Sequence, residues 1–297
     1  MTDAEVMALF ERCSNVGRWG PDDELGTLNH VTPAQRLAAL AQVRAGEVVA
    51  LGRALAVGWS RETPPSARMS VRRDALSAFD ELTLDIHGYE ATHVDALGHM
   101  FFGERAWNGR TSADVMTAEG LAFGSIEALA VQGIVTRGVL LDVAAARGVA
   151  HLQAATGIGV ADLEAAEELA GVEVGTGDAV FVRSGHGLRA AAEGDAHDEA
   201  DPHEGVLPEV IPWLHERSVA VYAGDCIEQR PSGHPLVPMP LHQVGLVAMG
   251  LCMLDCPDVE ILAAACRRHQ RADFLLMIAP LRLPGGSGSA VNPLAIF

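Results

Sequence analysis

The sequence predicts a mixed α/β fold. Short β-like apolar runs alternate with segments of helical period, and the composition holds enough apolar residues to fill one large core. Apolar residues are 49% of the chain and charged residues only 20%, which excludes a disordered polymer. No linker-like stretch divides the 297 residues, so the chain reads as a single domain over 1–297.

Residues 3–13 and 33–43 space Ala, Leu, Val and Met at the helical period, and Thr32 followed by Pro33 forms a cap with proline at the first helical position. The loop between them, Trp19 to His30, is read equally as surface structure or as pocket lining. After Gly46 the pattern turns to strands, at 48–51 and then at 82–86, which runs into a histidine cluster. Further short apolar runs at 139–142, 179–182, 219–222 and 274–278 are bounded by turn residues. Helical patterns at 160–170, 206–216, 241–251 and 258–268 alternate with them, the second interrupted by Pro212. The pattern leaves parallel and antiparallel pairing both open.

A formal charge of −18, with no run of Lys or Arg, excludes a nucleic-acid binder and disfavours an anionic membrane surface. A local cation at Arg183 could still hold a substrate carboxylate. The five cysteines, Cys13, Cys226, Cys252, Cys256 and Cys266, are odd in number and lack Cys-x-x-Cys spacing, and the N-terminus has no basic-then-apolar leader. Both point to a reducing cytoplasm. Cys252 and Cys256 would share a helix face among Leu251, Met253 and Leu254, where packing is the expected role. No apolar run reaches the roughly 20 residues that span a bilayer.

The chemistry concentrates between His87 and His99, where three imidazoles and Asp95 fall within thirteen residues. Imidazole and carboxylate suit a divalent ion such as manganese or zinc, and catalytic sites leave a position open for water. On a strand His93 and Asp95 share a face and can reach one ion. His99, four residues on, joins them only if the chain turns, which Gly98 would ease. His87 joins only if Gly88 allows a bulge. Competing motifs are weak. There is no Gly-x-Ser-x-Gly elbow, Ser184 beside His186 reads as a solvated loop and not a triad, and Gly285 to Ser289 lacks the lysine of a phosphate loop and reads as a closing loop. On spacing alone, His242 at the start of a helix and Asp255 just past its end are capping or surface residues.

Thr92-His93-Val94-Asp95 with His99 resembles the second half of the His-x-Gly-Thr-His-x-Asp-x-x-x-His signature of the metal-dependent cyclase family, which includes kynurenine formamidase, isatin hydrolase and trans-dienelactone hydrolases. The first half departs. Tyr89 stands where the signature's first histidine is expected and Ala91 at its glycine, and His87 is the alternative first ligand, as in a longer branch of the family. The segment from Trp19 to Asn29, Arg183-Ser184-Gly185, Pro240-Leu241-His242-Gln243, Leu254-Asp255 and the stretch from Pro284 to Ser289 follow the branch in order. The resemblance implies a swivelling β/β/α cyclase-like fold, a homodimer, and a role for His242 and Asp255, with Gln243 as a further candidate, around a second metal.

The expected function is therefore a cytoplasmic metal-dependent hydrolase acting on a small cyclic or aryl amide, imide or lactone through metal-activated water. His93, Asp95, His87, His242 and Asp255 would hold the metal, His99 would move the proton, and Thr92 would orient a ligand. The departure at Tyr89 favours a relative of kynurenine formamidase over that enzyme. Trp19, Phe101, Phe102 and Trp107 are read as core before pocket lining. Two other classes stand beside this reading. One is a non-catalytic metal-binding protein, which the absence of cysteine from the cluster disfavours; the other is a metal-dependent isomerase or cyclase.

Overall fold

A computed structural model describes residues 1–55, 67–193 and 202–297. Its centre is a nine-stranded sheet built from β1 (Val48–Ala50), β2 (His93–Asp95), β3 (Ile134–Asp142), β4 (Ala179–Arg183), β5 (Val221–Gly224), β6 (Cys252–Asp255), β7 (Asp273–Ile278), β8 (Gly288–Ala290) and β9 (Leu294–Ile296). The strand order is β1-β9-β7-β3-β4-β5-β6-β2-β8. The middle strands β3 to β6 are parallel, and every pairing outside them is antiparallel. Val180-Phe181-Val182 and Val221-Tyr222-Ala223 are apolar without alternation because both faces of these central strands are covered.

The sheet curls. β8 ends the order while β9 lies next to its other end, yet three residues join them, a path of at most about 14 Å. Val49 and Ala295 from one end and Val94 from the other meet in one buried cluster with Phe181, Leu254 and Phe274. The opposite face is covered by a second cluster, in which Val139, Val180, Tyr222 and Met253 pack with the helices Asp3–Arg12, Val160–Ala170 and Val210–Glu216.

The expected helices at 3–13, 33–43, 160–170 and 258–268 are present as Asp3–Arg12, Pro33–Leu40, Val160–Ala170 and Val259–His269, and Thr32 caps the second through Gln35 N. Three expectations change. The run at 82–86 belongs to an antiparallel hairpin, Ala67–Arg73 with Ala78–Leu84, outside the main sheet, and a loop separates it from β2. The segment 241–251 is a short helix, Pro240–Val244, continued by a π-turn over Gly245–Met249 and stopped by Gly250 in the left-handed region. Residues 252–255 then form a strand, so Cys252 and Cys256 are buried as expected but share no helix. Pro212 sits in the first turn of Val210–Glu216, where its missing N–H costs nothing.

The Trp19 to His30 segment is mixed: Pro21 and Asp22 are exposed, whereas Gly26, Thr27 and Leu28 are buried in the core. Trp107 is fully buried and donates its indole N–H to the Asp23 carbonyl at 2.9 Å, and Trp19 packs beside it. Thr27 donates its hydroxyl to the Ala220 carbonyl at 2.7 Å and accepts from Cys252 N at 3.1 Å, which pins the start of β6. Among the described residues no helix is long and apolar enough to cross a membrane.

Gly26 makes that anchor possible. It has φ +55°, and a Cβ there would lie 2.1 Å from the Gly250 carbonyl oxygen. Gly26→Ala should destabilise the protein by about 2–4 kcal/mol, since left-handed strain and backbone overlap add. Chemical denaturation measures this, and a midpoint equal to that of the wild type would contradict the packing described.

Candidate metal centre

β2 and β6 are too short for long-range regularity, but their register places the chemistry. Asp255 pairs directly with His93, and Leu254 with Val94. Val94 and Leu254 therefore point into one core cluster, while His93, Asp95 and Asp255 share the opposite face. The helix Pro240–Val244 lies over that face and delivers His242. All four side chains are buried.

The carboxylate of Asp95 is the centre. His87 Nδ1 lies 3.1 Å and His93 Nε2 3.4 Å from its Oδ1, and His242 Nε2 lies 3.8 Å from its Oδ2. His242 Nε2 is also 3.2 Å from Asp255 Oδ2. These contacts are close without being aligned as hydrogen bonds at Asp95. Among the described residues, neither Asp95 oxygen, nor Asp255 Oδ1, nor His87 Nδ1 has a hydrogen-bond partner. Polar atoms buried in that state are costly unless something compensates them, and lone pairs converging on a shared point are what a cation requires. His87, Asp95 and His99 form one group with donor atoms within 4.8 Å of one another, and His93, Asp95 and Asp255 form another.

Each imidazole is aimed by its other nitrogen. His93 donates through Nδ1 to the Ala91 carbonyl at 2.8 Å, so Nε2 faces Asp95. His242 has Nδ1 at 2.8 Å from the Glu228 carboxylate. His87 has Nε2 at 3.0 Å from the Ser287 hydroxyl. Glu228 carries no sequence signal, and Ser287 lies in the Pro284 to Ser289 stretch, whose contact with His87 the sequence does not show. Glu228 reaches His242 from a loop after β5, and Ser287 arrives because β8 pairs with β2. The stretch expected to be a closing loop thus supplies an edge strand. At Gly288 a Cβ would come within 2.8 Å of the His87 ring and 3.0 Å of the Val94 carbonyl, so glycine leaves the space that ring occupies.

Of His87 and Tyr89, it is His87 that lies against Asp95. Gly88 adopts φ 112°, which folds the chain back and brings His87 over β2. The Tyr89 ring faces His203 instead, at 4.9 Å between centroids. His99 enters by a turn that returns its N–H to the Ala96 carbonyl, and its ring stacks on His87 at 3.8 Å. Gly98 serves that turn by close approach, since a Cβ would meet the Phe123 carbonyl at 2.8 Å.

Burial pushes His93 down, but Asp95 and Asp255 outweigh it and raise its pKa to about 9. Burial lowers the pKa of His99, and the neighbouring imidazoles of His87 and His242 lower it further, against Asp95 and Asp255. Its imidazole is therefore neutral at neutral pH. Asp95 is held well below the usual carboxylate range by the histidines around it, despite its burial.

Several sequence-derived expectations fail here. Thr92 does not orient a ligand; its hydroxyl donates to the Cys256 carbonyl at 2.7 Å and accepts from Arg53 N at 2.9 Å, tying strand ends together. The Gln243 side chain accepts from Met239 N at 3.2 Å. Arg183 offers no site for a substrate carboxylate, because it is buried against Asp142 at 2.7 Å and Glu260 at 2.9 Å. Ser184 and His186 are buried, not solvated, and the Ser184 hydroxyl donates to Asp225 at 2.9 Å, so no triad forms. Asp255 ends a strand and does not follow a helix.

A mixed sheet with a buried histidine and carboxylate cluster on one face defines a class of metal-binding α/β proteins. Residues 26–229 match the family model described as "Putative cyclase", and the chain belongs to that cyclase family. A solved structure described as a novel cyclase is 26% identical, with a TM-score of 0.83 over 96% of this chain and 100% of that one. Isatin hydrolase A from Ralstonia solanacearum is 21% identical, with a TM-score of 0.59 over 89% of this chain and 97% of that one. An isatin hydrolase bound to the product analogue thioisatinate is 19% identical, with a TM-score of 0.59 over 89% and 98%. No curated protein matches the chain in sequence.

Removing the carboxylate behind His242 with Glu228→Ala should weaken binding of manganese or zinc by about 10–100-fold, measured by competition with a chelator. A cation bound by His93 would displace its proton, so affinity should also climb with pH up to about pH 9. Unchanged affinity in the variant would remove the role of Glu228, and a flat pH profile would contradict the charge state of His93.

Proposed function

We propose that this chain is a metal-dependent hydrolase acting on a small cyclic or aryl amide, imide or lactone, with manganese or zinc as its ion. The observation that carries the reading is Asp95, a buried carboxylate without a hydrogen-bond donor on either oxygen, faced by His87 and His93 on one side and His242 on the other. A cation offsets the cost of leaving that charge buried. The donors are all imidazole and carboxylate, a set that suits manganese or zinc and leaves room for water.

When bound, such an ion lowers the pKa of its water towards neutrality and polarises the carbonyl under attack. His87, His93 and Asp95 would hold it, with His242 and Asp255 extending the same cluster through Asp95. His99 is the proton carrier. Its neutral ring accepts a proton from water, and the resulting imidazolium returns it to the leaving nitrogen or oxygen. Stacking on His87 at 9° between planes fixes its orientation.

Family membership supports the hydrolase class, and the isatin hydrolases among the structural neighbours act on isatin by their names, which supports a small cyclic amide as substrate. The proposal extends to a homodimer in the cytoplasm, a compartment that five free, buried cysteines fit.

His99→Ala should lower kcat by about 100- to 10,000-fold while metal content, read by elemental analysis, stays at the wild-type level. Complete chelation should abolish hydrolysis of isatin-type amides, aryl formamides and lactones, and manganese or zinc should restore it. Full turnover after chelation defeats the hydrolase reading, and normal turnover in metal-loaded His99→Ala removes the role given to His99.

A further inference from the structure

A second group of ligating side chains lies outside the Asp95 cluster. His186 begins the helix His186–Glu193, Cys226 follows β5 by two residues, and His203 stands in a bridge with Arg230. One donor atom from each lies within 4.8 Å of the other two, and all three residues are buried. On a tetrahedral ion, bond lengths of about 2.1 Å to nitrogen and about 2.3 Å to sulfur place such atoms about 3.4–3.6 Å apart, so the three would close inward on binding and leave the fourth position to water.

The surroundings match what holds an ion-binding imidazole. Glu204 is fully buried, and its Oε1 lies 3.1 Å from His186 Nδ1. A carboxylate beside an imidazole orients the ring of a metal ligand, and the Arg189 guanidinium also lies 3.3 Å from His186 Nδ1. The Arg189 cation is balanced by Glu204 at 3.2 Å and Glu193 at 2.9 Å. Asp225 is occupied elsewhere, accepting from the backbone N–H groups of Ser184, Gly185 and His186 and so fixing the turn that carries His186.

We propose that His186, His203 and Cys226 form a second metal site, selective for zinc or another thiophilic divalent ion. Thiolate and imidazole select such ions, whereas the Asp95 cluster contains no sulfur. Binding forms a metal–sulfur bond and releases the Cys226 thiol proton to solvent. Burial otherwise keeps that thiol protonated, far above its ordinary pKa. The His203 ring packs on Tyr89, two residues from His87, so an ion here braces the loop that presents His87.

Cobalt(II) loading of the full-length protein tests the site. The loaded wild type should show a near-ultraviolet thiolate-to-cobalt charge-transfer band, retained in Asp95→Asn and lost in Cys226→Ser together with one metal equivalent. Zinc-edge X-ray absorption of the wild type should find a sulfur neighbour, which requires no variant to fold. Absence of the band and of sulfur scattering in the wild type overturns the proposal, as does a band that survives in folded Cys226→Ser. Neither readout involves hydrolysis, so the site stands or falls separately from the proposed activity.

Discussion

The pairing of His93 with Asp255 is the constraint on which the site depends. Strand side chains alternate between faces, so slipping β2 against β6 by one residue would send His93 and Asp95 into the apolar cluster and Val94 towards the helix that carries His242. The apolar residues thus specify where the polar ones go. Burying Val94 and Leu254 on one side leaves His93, Asp95 and Asp255 no alternative to the other.

Around that register the polar atoms are arranged in two tiers. The inner atoms converge on Asp95, and an outer set of acceptors and hydroxyls turns each ring towards it: the Ala91 carbonyl for His93, Glu228 for His242 and Ser287 for His87. Ala91 is local, but Glu228 and Ser287 come from distant parts of the chain, so the orientation of His242 and His87 depends on closure of the sheet. Thr92 contributes in the same way, by joining the ends of β2 and β6 and not by touching a ring.

Much of this was legible in the sequence for identifiable reasons. His93 and Asp95 could be paired because period two is local, and the central strands could be read because burial on both faces leaves an apolar run. His87 and His99 required loops whose glycines, Gly88 and Gly98, were visible although their geometry was not. Asp255 was misplaced because a π-turn and Gly250 end the helical pattern before Cys252, which periodicity over 241–251 does not reveal. The contacts of Glu228 and Ser287 were invisible because their partners lie 14 and 200 residues away, and no local rule couples such positions. Arg183 looked available for a ligand because nothing near it in sequence shows the buried pair it makes with Glu260.

The curl of the sheet also sets an order of events during synthesis. β2 lies between β6 and β8, and β8 is made from residues 288–290, so the strand bearing His93 and Asp95 leaves the ribosome nearly two hundred residues before its second neighbour exists. Until then one edge of β2 is open and His87 lacks Ser287. Assembly of the cluster consequently waits on residues 287–290, and until they are made the nascent chain carries His93 and Asp95 without the geometry that would hold an ion.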